Sequence, residues 1–293
     1  MEQAILNPAK YIITDLSIDT RFADQYHDGT ADVTFRLPDN YKNIMRLAVS
    51  SVEVPLVEYA FSEQKRNVTI AVRNAVGGPV IPVTIAEGNY GPTALATAIQ
   101  DAFYNNVVQD VSSYTCSYDT IADRFTFSSG IGGTTFRLCL IDPSGGCYEN
   151  RYWGLGYYMG FRSRVLTGKA TYTGTQPPQL GPTPYYLMQV SCPDQVETTV
   201  HATGQQTWIP ALAKIVLRGS VYTMQFDDGA NRLRKEITFL GPTNVGRMRV
   251  RLVDPYGQTA DLGDVDWSMT FEITAVTNSV TYEGLAGAFG STR

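Results

Sequence analysis

The stretch RMRVRLVDPYGQTADLGDVDWSMTFEIT, residues 247 to 274, alternates apolar and polar residues on both sides of a loop crowded with Asp and Gly. Successive side chains of a strand point to opposite faces. Met248, Val250 and Leu252 therefore share one face, and Arg247, Arg249 and Arg251 share the other. Beyond the loop, Trp267, Met269, Phe271 and Ile273 fall on one side, with Ser268, Thr270, Glu272 and Thr274 opposite them. One face of each strand belongs to a core, and the other is wet or meets a partner. An Arg row suits a solvated strand, but Arg is also enriched in protein interfaces, so both readings of Arg247, Arg249 and Arg251 stay open. The loop holds Asp254, Asp261, Asp264 and Asp266, and clustered carboxylates attract hard cations. Their spacing is not that of an EF-hand, and Asp and Gly are also what tight turns require, so the expectation is turn chemistry with no metal.

Bulk properties agree with strands. The chain has 293 residues, with 18 Tyr, 12 Phe, 26 Gly and 15 Pro, and only 17% of it is charged; these are the ingredients of β-strands joined by turns. A formal charge of −5 argues against a general nucleic-acid binder, which carries a basic footprint. Cys116, Cys139, Cys147 and Cys192 have irregular spacing, with no CxxC pair, and read as reduced structural thiols. The start, MEQAILNPAKYIITDLSID, offers no secretory signal, and no stretch reaches the ~18 apolar residues of a membrane span. Asn67-Val68-Thr69 matches a glycosylation sequon but is expected to be plain strand sequence.

Alternation marks further strands at 11–17, 31–37, 45–54, 68–72, 80–85, 113–118, 124–127, 134–140, 185–190, 213–217, 221–226 and 236–240. Many short strands with turn signals between them point to a sandwich or barrel. One segment differs: in EGNYGPTALATAIQDAFYNN, residues 87 to 106, Ala94, Leu95, Ala98, Ile99, Ala102 and Phe103 recur at helical spacing behind Pro92, which predicts a helix packed on a sheet. Residues 167 to 184, rich in Thr, Gly and Pro, read as one long loop. The tail GLAGAFGSTR, residues 284 to 293, reads as a terminal arm, as do residues 1 to 9.

Catalytic constellations are not evident in the sequence. Only His27 and His201 could serve as bases of the usual kind, and neither stands beside a matched nucleophile. There is no G-x-S-x-G, H-E-x-x-H or Walker loop. GLGYYMG, residues 154 to 160, lacks the frame of a dinucleotide site. The aromatic run YENRYWGLGYY, residues 148 to 158, offers Tyr152 and Trp153 either as an interface or core corner or, in the rival reading, as a sugar platform.

Three stretches carry a resemblance. They are VTFRLPDNYKNIMRLAVSSVEVPLVEYAF (33–61), IAEGNYGPTALATAIQDAF (85–103) with YTCSYDTIADRFTFSS (114–129) and the aromatic-Gly run ending in Met159-Gly160-Phe161, and the opening strand–loop–strand at 247–274. Together they resemble the penton and minor capsid proteins of large icosahedral double-stranded DNA viruses and virophages. The resemblance implies an all-β jelly-roll sandwich with long loops, expected over residues 10 to 275; the strands read from alternation exceed the about eight of a single jelly roll, which predicts a helix-containing insertion at about 80 to 165. It implies no catalytic, cofactor or metal residues. The partners it implies are the major capsid protein and other minor capsid proteins, with a homopentamer if the chain is a penton, in a virion assembled in the host cytoplasm, without direct nucleic-acid contact. Candidate interface residues are Arg247, Arg249, Arg251, Tyr152 and Trp153. The alternative is a carbohydrate-binding or host-attachment β-sandwich.

Overall fold

The computed structural model describes residues 11–74, 79–106, 113–130, 132–140, 154–192, 202–204, 207–219, 222–227 and 236–277. The first half of the chain forms β1 (Tyr11–Asp19), a 3-10 turn (Thr20–Phe22), β2 (Gln25–Tyr26), β3 (Asp32–Pro55), β4 (Thr69–Asn74), β5 (Ile81–Thr84), α1 (Pro92–Tyr104), β6 (Thr115–Asp119), β7 (Arg124–Ser128) and β8 (Phe136–Cys139). The second half forms α2 (Gly154–Tyr158), β9 (Val165–Lys169), β10 (Thr171–Thr173), β11 (Tyr185–Ser191), β12 (Ala202–Gly204), β13 (Thr207–Ile209), β14 (Ala213–Val216), β15 (Met224–Asp227), β16 (Glu236–Val253) and β17 (Ser268–Val276). The fold is all-β, as expected, and the chain divides into two compact units. One comprises the chain up to Glu58 and from Thr183 onward; the other runs from Tyr59 to Pro182.

The first unit is organised by two long strands, β3 and β16, which lie antiparallel to each other. Their ladder slips between Thr238 and Arg247, where Gly241, Pro242 and Gly246 face the stretch of β3 that contains Pro38 and the left-handed Asn43. Proline cannot donate to a ladder and bulged strands bend, so both strands turn a corner together and each serves two sheets. Before the corner, residues 32–36 of β3 pair with 247–251 of β16, β16 pairs with β11, and β11 pairs with β14. After it, residues 44–53 of β3 pair with β17, and β17 with β1. The other flank of this half of β3 takes residues 236–238 of β16 and then β15. If the strands are lettered B to I in chain order, the two sheets read B-I-D-G and C-H-E-F. That is jelly-roll wiring, with C and D merged in β3 and G and H joined to one another through β16. The Leu37-Pro38 step expected to end a strand is thus the bend inside one.

The core of this unit lies between the two sheets. Val52, Val54, Met269, Phe271 and Ile273 come from one, and Val33, Phe35, Met188, Ile215, Val250 and Leu252 from the other, in a single buried cluster. Trp267 closes its end: the indole Nε1 donates to the Thr30 carbonyl at 2.7 Å, and the fully buried Thr20 hydroxyl accepts from the Trp267 amide while donating to Asp266.

In the second unit, α1 begins at the expected Pro92 and buries Leu95, Ala96, Ile99 and Phe103. Phe125, Phe127, Phe136 and Tyr172 complete that core, drawn from the sheets β10-β7-β6 and β5-β4-β8-β9. Gln100 joins helix to sheet, donating to the Tyr114 carbonyl and accepting from the Cys116 amide. Residues 167–184 are not one loop. They hold the end of β9 and all of β10, which extends the β7 ladder from Thr171 to Thr173.

Candidate interface on the jelly-roll unit

The register of β16 against β3 and β11 places the Arg row where alternation predicts, on the face turned away from the core. Arg247 stands opposite Arg36, Arg249 opposite Thr34, and Arg251 opposite Asp32, with Ser191 and Gln189 alongside on β11. The row is not uniform. Asp32, whose side chain is only 4% exposed, receives two hydrogen bonds from Arg249 at 2.7 and 2.6 Å and lies 3.6 Å from Arg251 Nε. Such a two-pronged pair fits the planar guanidinium, and it raises the Arg249 pKa further. Arg251 also donates to the Thr259 hydroxyl at 2.7 Å. Arg247 is exposed and donates to Gln25 Oε1 at 2.5 Å.

Farther across the same face, Lys214 on β14 stands opposite Leu187 and lies 3.9 Å from the centre of the Tyr185 ring. Leu187 and Val253 are covered by Ile209 and Ala211. Asp32, Arg36 and Lys214 belong to this surface but were not singled out from the sequence. Alternation alone would have put Asp32 and Arg36 on one face of β3. What it could not supply is the pairing of that face with residues 217 positions away.

The Asp-rich loop does turn chemistry. Asp254 Oδ1 accepts from the amides of Tyr256 and Gln258 at 2.8 and 2.9 Å, and Asp261 Oδ1 from that of Gly263 at 3.0 Å. Asp266 takes the Thr20 hydroxyl. No group of three or more His, Cys, Asp or Glu suited to a metal ion occurs among the described residues, and no helix among them is long and apolar enough to cross a membrane.

Other features singled out from the sequence have structural duties. His27 Nε2 lies 2.9 Å from the Thr34 hydroxyl. Asn67 of the sequon is fully buried; its Oδ1 accepts from the Ser62 amide and its Nδ2 donates to the Ala60 carbonyl, both at 2.8 Å. In GLGYYMG, a side chain at Gly156 would collide with Leu140, and Gly160, at φ +88°, lies against the Gln176 carbonyl, so these glycines serve close packing. Tyr158 packs edge-on against Phe61, and Arg162 lies 4.8 Å from the centre of the Tyr157 ring. Cys116 and Cys139 are buried and Cys192 is partly buried. Tyr152, Trp153, His201, Cys147 and both terminal arms lie outside the described residues.

No protein-family model matches the chain, and no curated protein does. Solved structures similar to it include the mavirus penton protein, with a TM-score of 0.47 and 11% identity over 90% of this chain and 99% of that one. Another is a chain from the cryo-EM structure of the Sputnik virophage, with a TM-score of 0.39 and 9% identity over 92% and 98%.

Proposed function

We propose that this chain is a structural virion component, a penton or minor capsid protein that stabilises an icosahedral shell through contacts with major capsid protein and neighbouring subunits. The observation that carries the reading is the jelly-roll wiring of the first unit, with a second unit inserted in the chain between strands D and E. Jelly rolls also build lectins and cupins, and fold alone is only an analogy for function. The three stretches that resemble penton and minor capsid proteins narrow the choice: they fall on β3, on α1 with the β6–β7 hairpin, and on β16 with β17. In this reading the protein acts by burying surface, without turnover, and resides in the virion. The surface offered is the Arg-lined face, where Arg247 is exposed and Arg249 retains 48% side-chain exposure.

The test is particle incorporation. Replacing Arg36 and Arg247 with Glu leaves the core untouched and should reduce the amount of this chain in purified particles, while the isolated protein keeps its far-UV spectrum. Normal incorporation of that variant would remove the Arg face from the reading. Absence of the wild-type chain from particles would remove the reading itself.

A further inference from the structure

Among the described residues, the two outer faces of the jelly-roll unit carry opposite charge. On the C-H-E-F side the described outward strand positions hold Arg36, Arg247, Arg249, Arg251 and Lys214 against one carboxylate among the described residues, that of Asp32. Asp24 is turned to the Arg36 backbone amide beside them. On the B-I-D-G side the described outward positions hold Asp15, Asp19, Glu53, Glu236 and Glu272 against one guanidinium among the described residues, that of Arg46. Arg21 lies just past this face, bound to Asp19. A chain whose net charge is only −5 has therefore sorted its charges by sheet.

Among the described residues, internal neutralisation is incomplete on both faces. Arg46 bridges Glu236 at 2.6 Å and Glu272 at 3.2 Å, as Asp32 serves Arg249 and Arg251 on the other side. Yet each face also sets like charges directly across a ladder, Asp15 opposite Glu272 and Arg36 opposite Arg247. Directly opposed like charges destabilise an antiparallel pair. Opposite charge brought from outside would relieve both. Beside the acids, Tyr11 and Ile13 project from the same side of β1 and are 59% and 63% exposed, apolar anchors of the kind that fill the centre of an interface.

We infer that the occupant of each face is the opposite face of a second copy of this chain: the acidic B-I-D-G face of one protomer docks on the basic C-H-E-F face of the next. The contact joins two different patches, so it is heterologous and propagates head to tail, closing into a ring when the rotation between neighbours divides the circle. The biological use of such a ring rests on the capsid reading above, but the contact itself does not.

The test is the mass of the purified full chain by size exclusion with light scattering, at about 0.1 M and about 1 M salt, where the screening length falls from about 10 Å to about 3 Å. Wild type should form an oligomer larger than a dimer at low salt and dissociate at high salt. The Arg36→Glu/Arg247→Glu chain and the Asp15→Lys/Glu53→Lys chain should each be monomeric, because each has one face neutralised, and their mixture should associate, because the first keeps the wild-type acidic face and the second the wild-type basic one. A wild-type monomer at low salt, an oligomer indifferent to both reversals, or a mixture of folded variants that stays monomeric would overturn the inference. If a reversal does not fold, the Arg36→Gln/Arg247→Gln and Asp15→Asn/Glu53→Gln chains replace the pair, each expected to lose at least tenfold in association constant and no loss counting against it. Particle content separates the two claims: a salt-sensitive ring from a chain absent from particles sinks the capsid reading alone, and a monomer found in particles sinks the contact alone.

Discussion

Asn67 gives a sharp test of how the second unit is held together. Its amide is fully buried and uses one end on the Ser62 amide and the other on the Ala60 carbonyl. Asn67→Ala removes both partners at once and leaves a buried donor and a buried acceptor unmet. Each such group costs about 1–3 kcal/mol, so the expected loss is about 2–6 kcal/mol. Asn67→Asp is more informative. An ionised carboxylate still accepts from Ser62 but turns a second oxygen toward the Ala60 carbonyl, and burial further disfavours the charge. The protonated acid can donate to that carbonyl and restore both bonds.

The folded pKa of this introduced Asp is therefore raised above its unfolded value of about 3.9. Its stabilising part is present below that pH and is lost as pH rises toward the folded pKa. Urea titrations should place Asn67→Asp close to wild type near pH 4 and well below it at pH 7, with Asn67→Ala low at both. A loss under about 0.5 kcal/mol for Asn67→Ala, the range of ordinary surface substitutions, would refute the buried clamp. So would a loss for Asn67→Asp that does not change with pH.

Two further predictions concern stability. Burial raises the Cys116 thiol and, with Glu58 as hydrogen-bond acceptor, the Tyr186 phenol. Both stay protonated in the folded chain while the unfolded chain releases protons above about pH 8.5 and about pH 10, so the melting temperature should fall as pH climbs through that window, less steeply in Cys116→Ala; an unchanged slope in that variant would exclude the thiol as a contributor. Thr20→Val keeps the shape of a fully buried side chain but strands the Trp267 amide, and should cost about 1–3 kcal/mol in urea unfolding followed by tryptophan fluorescence; a neutral result would mean the Thr20 hydroxyl does not hold that corner.

Much of the fold could be read from alternation because the strands of the sandwich are half-buried. A face that must be apolar writes period two into the sequence, as in Met248, Val250 and Leu252. α1 was equally legible from Leu95, Ile99 and Phe103. The bend in β3 was not, because Pro38 signals the end of a ladder and nothing local says that the same strand resumes in another sheet. β2, β9, β10, β12 and β13 were passed over. They are short, and β9 and β10 are stitched from Thr, Gly and Lys residues such as Gly168 and Thr171, whose pairing with β7 and β8 is decided by tertiary contact rather than by composition.

The Arg row was visible in the sequence and its partners were not. Asp32 is as far from Arg249 in sequence as the two long strands are from each other, and only their register brings the carboxylate under the guanidinium. The charge sorting between the two outer faces emerges the same way, once each strand has been assigned to its sheet.

The most direct measurement is to locate this chain in the virion, by immunogold labelling of purified particles together with its copy number relative to major capsid protein. Label on the shell in a fixed ratio, concentrated at the vertices for a penton or spread across the facets for a minor capsid protein, is the predicted result. A chain abundant in infected cells but missing from purified particles would contradict it.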